Sequence, residues 1–258
     1  MNKFYLFCTI VILSFLNTIF PQVNTERFRE DEDSVGFSGF IDLEGILATG
    51  NTDFQLISLG SRLNYNWGDD YTFIIADGGY GWENGNAFVD QLFAHLRHVI
   101  TTGDLLQIEF FTQFDNNKKR LLLERELLGG GLRFRILKTE HFKFRLGTAY
   151  MFETERYDLP VNSVHPQTTS LHRFTSYTTF KYQLNKLLSF ISTTYYQPSI
   201  TDFNDYKIFS ENAFLIDTGE MFDLFIKFNL RYDSRPPDTV KNFDTFSRIG
   251  FSFKFGGG

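Results

Sequence analysis

The feature that most limits what this chain can fold into is a period of two. In Leu106-Ile108-Phe110-Thr112-Phe114 every second residue suits an apolar face, while Gln107, Glu109, Gln113 and Asp115 lie between them. Phe222-Leu224-Ile226-Phe228-Leu230-Tyr232 and Ile249-Phe251-Phe253-Phe255 repeat the pattern. Side chains on a strand point alternately to opposite faces, so each stretch is a strand with one apolar and one polar face. After the first twenty residues no run of 18 apolar residues occurs, which leaves no second spanning helix.

Twelve such strands are predicted, over 35–48, 54–67, 71–82, 88–101, 104–115, 122–136, 141–152, 171–184, 187–197, 205–217, 221–233 and 243–255. The third, ninth and tenth alternate least regularly. Most exceed the ~5–6 residues usual in soluble strands and reach the ~9–11 that a tilted transmembrane strand requires. Short links such as Thr102-Gly103 and Asn185-Lys186 alternate with longer polar ones, of which 153–170 is the longest. Short turns at one end, long loops at the other and an even strand number are the pattern of an outer-membrane barrel. A soluble sandwich would turn its apolar faces inward. A sheet in lipid must close, because hydrocarbon cannot satisfy an open edge.

Met1 to Lys3 is a short basic start, and Phe4 to Phe20 follows without a charge. This predicts a signal peptide over 1–22, a polar lead-in over 23–34 and the barrel over 35–258. Hydrophobic residues make up 42% of the chain, yet the mean hydropathy is -0.20, as close interleaving demands. The formal charge of -6 argues against nucleic acid. The single cysteine, Cys8, lies in the apolar leader, which removes disulfide frameworks and cysteine-based zinc sites.

The class expected is therefore all-β: a transmembrane antiparallel up-and-down β-barrel of about twelve strands in a Gram-negative outer membrane. Its expected partners are the lipid bilayer, lipopolysaccharide, the barrel-assembly machinery and periplasmic chaperones, with no cofactor or metal. A monomer is expected.

Several motifs recur in a fixed order. The first hairpin carries Glu44-Gly45 and Thr49-Gly50-Asn51-Thr52. The middle holds Phe111 to Asn117, Arg125 and Gly129-Gly130-Gly131-Leu132-Arg133-Phe134. The last hairpin has Tyr232-Asp233-Ser234-Arg235-Pro236-Pro237 and Asp244-Thr245. Over roughly 35–255 this resembles the domain of unknown function 481 family, DUF481, whose members are often labelled salt-induced outer-membrane proteins. The resemblance implies a barrel with a link to salt or osmotic stress, and no established activity.

If the apolar faces meet lipid, the interleaved charges line the interior. The candidates are Arg62, Arg97, Glu109, Arg133, Arg145, Arg173, Lys227, Arg231 and Arg248, with Arg135, Lys143, Lys181 and Lys254 beside them. Asp42, Glu44, Asp77 and Asp223 join Glu109 on the negative side. Positive charge is then in excess, so complete pairing is not expected, and rings of Arg and Lys favour anions. The leading reading is a narrow pore for small solutes or anions. The alternatives are a closed structural or adhesive barrel acting through its outer loops, and an outer-leaflet lipid hydrolase. The last needs a Ser–His pair within ~2.6–3.2 Å. Ser163, His165, Ser170 and His172 share one loop region, but nothing in the sequence pairs them, so no enzyme is expected.

Overall fold

The computed structural model describes residues 35–48, 54–83, 86–219 and 221–256. The expected signal peptide and polar lead-in, over 1–22 and 23–34, lie outside the described residues. The described chain is a closed barrel of twelve antiparallel strands. In order they are β1 (Gly36–Ala48), β2 (Phe54–Asn66), β3 (Tyr71–Glu83), β4 (Asn86–Thr101), β5 (Leu106–Asn117), β6 (Leu122–Lys138), β7 (Phe142–Tyr157), β8 (Thr168–Gln183), β9 (Leu188–Pro198), β10 (Tyr206–Asp217), β11 (Phe222–Asp233) and β12 (Phe243–Gly256). Each strand pairs with its sequence neighbours. The barrel closes where β1 meets β12, through six register pairs from Ser38↔Gly256 to Leu43↔Phe251.

The period of two sets the walls. Leu43, Ile57, Leu59, Leu96, Phe110, Leu128, Ile226, Phe228, Ile249 and Phe251 stand exposed on the outside. A transmembrane barrel satisfies its backbone within the sheet and gives this apolar surface to lipid. Rings gather towards both ends. At the turn end Tyr65 packs on Trp67, and Phe142, Phe180, Phe190 and Phe214 form a chain of contacts. At the loop end Tyr80 meets Trp82, and Tyr196, Tyr206 and Tyr232 stack in sequence. These are the two girdles that such barrels place at the membrane interfaces.

The largest difference from the expected spans is at the loop end of β7 and β8. The strands predicted over 141–152 and 171–184 run instead over Phe142–Tyr157 and Thr168–Gln183, so the long loop contracts to 158–167. The pleat continues through this region: Glu153, Glu155 and Tyr157 face inward and are buried, while Arg156 is exposed. Both faces are polar there, so the hydropathy alternation vanishes although the geometric alternation does not. The connection 118–121 also departs from expectation. It is a single 3-10 turn over Lys118–Arg120, capped by the Asn117 side chain and ended by Leu121 in a left-handed conformation, φ 55.

Candidate functional site: the barrel lumen

Three layers of charge cross the interior. Nearest the turn end, Lys254 meets Asp223 at 2.9 Å. In the middle layer, on the wall formed by β11, β12 and β1, Lys227 lies 3.0 Å from Asp42 and 3.1 Å from Glu44, and Arg248 lies 2.8 Å from Glu44. Phe40, Ile191, Leu215 and Phe225 form a buried apolar cluster in this half.

On the facing wall the middle layer centres on Glu109. Arg97 approaches it at 3.3 Å and Arg133 at 3.7 Å. The Tyr177 hydroxyl donates to the same carboxylate across three strands, at 2.6 Å. Arg133 also donates to the Tyr71 hydroxyl at 2.6 Å. Glycines make this crossing possible. A Cβ on Gly147 would sit 2.1 Å from the Tyr177 ring, and one on Gly129 would sit 2.5 Å from the Phe111 ring. The inward positions of β6 and β7 thus vacate the volume that the rings of β5 and β8 fill. A cavity of about 30 Å³ remains beside them, between His95, Arg97, Tyr177, Gln197 and Glu211. That is room for about two or three waters, at ~10–15 Å³ each.

The loop-end layer is the densest. Arg125 forms a very short ion pair with Glu153 and lies 3.5 Å from Glu155 and 3.7 Å from Asp115. Arg173 reaches Glu153 at 2.8 Å and Asp205 at 3.0 Å. Lys207 bridges Glu153 at 3.0 Å and Glu155 at 2.5 Å. Apart from Asp205, on the loop at the edge of the layer, these side chains are at most 6% exposed. Arg120, on the 3-10 turn, closes the layer from above through Asp115 at 3.5 Å.

The sequence-derived candidates are distributed over all three layers. Arg97, Glu109, Arg133, Arg173, Lys227 and Arg248 join the ion pairs just given. Arg62 is buried over the Phe73 ring at 3.9 Å and donates to Asn64 at 2.6 Å. Arg145 is buried at the register position between Arg135 and Thr179. Arg231 is half-buried, 5.0 Å from the Phe209 ring. Arg135 instead turns to the 102–105 turn, donating to the Asp104 carbonyl at 2.8 Å.

The expected surplus of unpaired positive charge needs correction. The sequence alone places five carboxylates in the interior; the structure buries Asp115, Glu153, Glu155, Glu211 and Asp233 as well. Arg125 and Lys207 were also missed. Parity could have found them: Arg125 stands eight residues before Arg133 on the same strand, hence on the same face.

The outer rim is tied loop to loop. Arg235 pairs with Asp202 at 2.5 Å, joining loop 234–242 to loop 199–205. The backbone N–H of Asn204, then Arg235, hold the Asp202 carboxyl below its usual range. Burial in the 3-10 turn pulls the Lys119 ammonium down, against the opposing pull of Glu83. The region considered for a Ser–His pair is arranged otherwise. His165 donates from Nδ1 to the Pro166 carbonyl at 2.8 Å, and its backbone N–H donates to Asp238 at 2.9 Å. His172 packs between Tyr150 and Phe152 on the outer wall.

A family model described as "Protein of unknown function, DUF481" matches residues 41–255. The chain belongs to the DUF481 family. Among solved structures, this DUF481 barrel is similar to the NanC porin, with 13% identity and a TM-score of 0.52 over 83% of this chain and 100% of that one. A KdgM porin in complex with disordered oligogalacturonate is 11% identical, with a TM-score of 0.48 over 84% and 99%. The translocator domain of the autotransporter NalP from Neisseria meningitidis is 10% identical, with a TM-score of 0.45 over 87% and 90%. The first of these supports a porin-like fold. No curated protein sequence matches the chain.

Proposed function

We propose that this DUF481 protein is a narrow outer-membrane pore for small ions and solutes, with a preference for anions. The observation that carries the reading is a charged lumen running from Lys254 and Asp223 at the turn end to Arg173 and Asp205 at the loop end. Buried ion pairs are poor structural filler. Desolvation offsets most of their Coulomb attraction, and apolar residues of like volume often stabilise as well or better. A barrel needing only a filled interior would be served by the Phe225 cluster repeated along its height. Charges kept at every level suit a path that must hydrate and exchange partners with passing ions. Arg231, half-buried 5.0 Å from the Phe209 ring and with a guanidinium nitrogen that makes no hydrogen bond among the described residues, tips the preference towards anions.

The loop-end layer is the most closely tied part of the lumen, where Glu153 meets Arg125, Arg173 and Lys207 and Glu155 meets Arg125 and Lys207 as well. The test is single-channel current of refolded protein in a planar bilayer under a salt gradient. The expected result is a small conductance with an anion-selective reversal potential, which shifts towards cations in Arg231→Glu. Silence from protein shown to be folded and inserted would replace this reading with that of a closed barrel.

A further inference from the structure

The outer wall is not uniformly apolar. Ile41, Leu43, Ile57, Leu59, Ile226, Phe228, Ile249 and Phe251 cover mid-height on β1, β2, β11 and β12, each between 42% and 63% exposed. On β8 to β10 the equivalent places hold Ser176, Thr178, Ser192, Thr194, Ser210 and Asn212. Their strand neighbours Tyr177, Thr179, Ile191, Thr193, Glu211 and Ala213 are buried facing the lumen, which turns the hydroxyls and the amide to the outer side, where Ser192 is covered by its neighbours and the rest are half-buried.

Register makes them one patch. Thr178 stands opposite Thr194, Thr194 opposite Ser210, and Ser192 opposite Asn212. Thr194 and Ser210 share a hydrogen bond of 3.0 Å, and Asn212 donates to the Ser210 hydroxyl and to the Phe228 carbonyl, both at 3.3 Å.

Depth is fixed by the rings. Phe180, Phe190 and Phe214 lie towards the turn end of the patch, and Tyr196 and Tyr206 towards its loop end. On β8 the outward residues His172 and Tyr182 bracket the patch. At ~3.3 Å per residue and ~40° tilt they are about 25 Å apart along the normal, the height of the apolar band of such a barrel. Ser176 and Thr178 therefore sit near the middle of the hydrocarbon. Polar side chains at that depth are costly against lipid and recur where spanning elements meet, and small residues let backbones approach closely.

We infer that the β8–β10 wall is the surface on which a second copy of this chain packs within the membrane. The occupant follows from complementarity. The patch is neutral and carries donors and acceptors together, so it fits itself. Two copies inserted in the same direction bring it to the same depth, and a two-fold axis along the membrane normal sets patch against patch. This departs from the monomer expected from the sequence.

The experiment uses the full chain with Cys8→Ser, expressed into outer membranes and treated there with a short bis-maleimide. Single cysteines at Thr178 or Ser210 should give a cross-linked species of twice the mass of the uncross-linked protein; cysteines at Ile57 or Leu59 on the opposite wall should give at least tenfold less. The triple variant Thr194→Leu, Ser210→Leu, Asn212→Leu should keep its heat-modifiable folded band and lose the dimer when its mass is measured in lipid nanodiscs. A monomeric mass for wild-type protein in nanodiscs would overturn the inference. So would equal cross-linking from both walls, or a dimer that survives the triple leucine variant. A different protein cross-linked to the patch in place of the second copy would overturn it too.

Discussion

The two ends of the lumen are built from the same residue types and differ in how much water they admit. At the loop end the Arg125 side chain is wholly buried and Glu153 is 1% exposed. At the turn end Lys254 keeps 32% exposure. Asp115, Glu153 and Glu155 each serve two or three cations, so losing one weakens several ion pairs at once. The turn-end pairs are looser and wetter, and water there screens their attraction. The same charges thus make a latch at one end and a vestibule at the other.

The sharpest way to break this contrast is Glu153→Ala. It strands Arg125, Arg173 and Lys207 without their shared carboxylate, and should cost about 3–5 kcal/mol, the loss typical of removing one partner from a buried pair. Urea unfolding in lipid vesicles would measure it, and a loss under about 1 kcal/mol would remove the latch from the description. Next in size, Gly147→Val should force the Tyr177 ring off Glu109 and destabilise by about 1–3 kcal/mol through overpacking. Gly45→Val on β1, where a Cβ meets nothing nearer than 3.8 Å, is the control and should unfold at nearly the wild-type urea concentration.

At the turn end Lys254→Met should change stability by no more than about 1 kcal/mol, as for other part-exposed pairs, while moving the reversal potential towards cations. A stability loss as large as that of Glu153→Ala would erase the distinction between the two ends. The smallest effect belongs to the rim. The Asp202 carboxyl lies below its unfolded value, so its contribution is present above the ordinary aspartate pKa of ~3.9 and is lost as pH falls through the depressed value. Limited proteolysis of intact vesicles should therefore find loops 199–205 and 234–242 equally protected at pH 7 and pH 5. Protection should fall only in more acid solution; earlier loss would show that Arg235 and Asp202 do not hold the loops.

Strand number, the lipid-facing set and the parity of Arg62, Arg97, Glu109, Arg133 and Arg248 are legible in the sequence because hydropathy and pleat share one period there. Legibility fails where the outside turns polar. Arg156 outside and Glu155 inside look alike by hydropathy, so the loop end of β7 reads as loop. The partners of Glu153 lie on β6, β8 and β10, and such chords follow from closure, not from any local pattern. Arg120 is a different case: its inward position depends on the left-handed Leu121 and the Asn117 cap. The Ser and Thr residues of β8 to β10 are visible in the sequence, but their convergence at one depth requires the register.

The join between β1 and β12 has a mechanical consequence. Among the described residues six register pairs hold it, from Ser38↔Gly256 to Leu43↔Phe251, whereas β1 and β2 are matched along thirteen residues, from Gly36↔Asn66 to Ala48↔Phe54. A load that opens the cylinder is carried by every junction in series, and the junction with the fewest bonds reaches its limit first. Pulled apart by its first and last strands, the wall should tear along this line and unroll as one sheet before any hairpin parts.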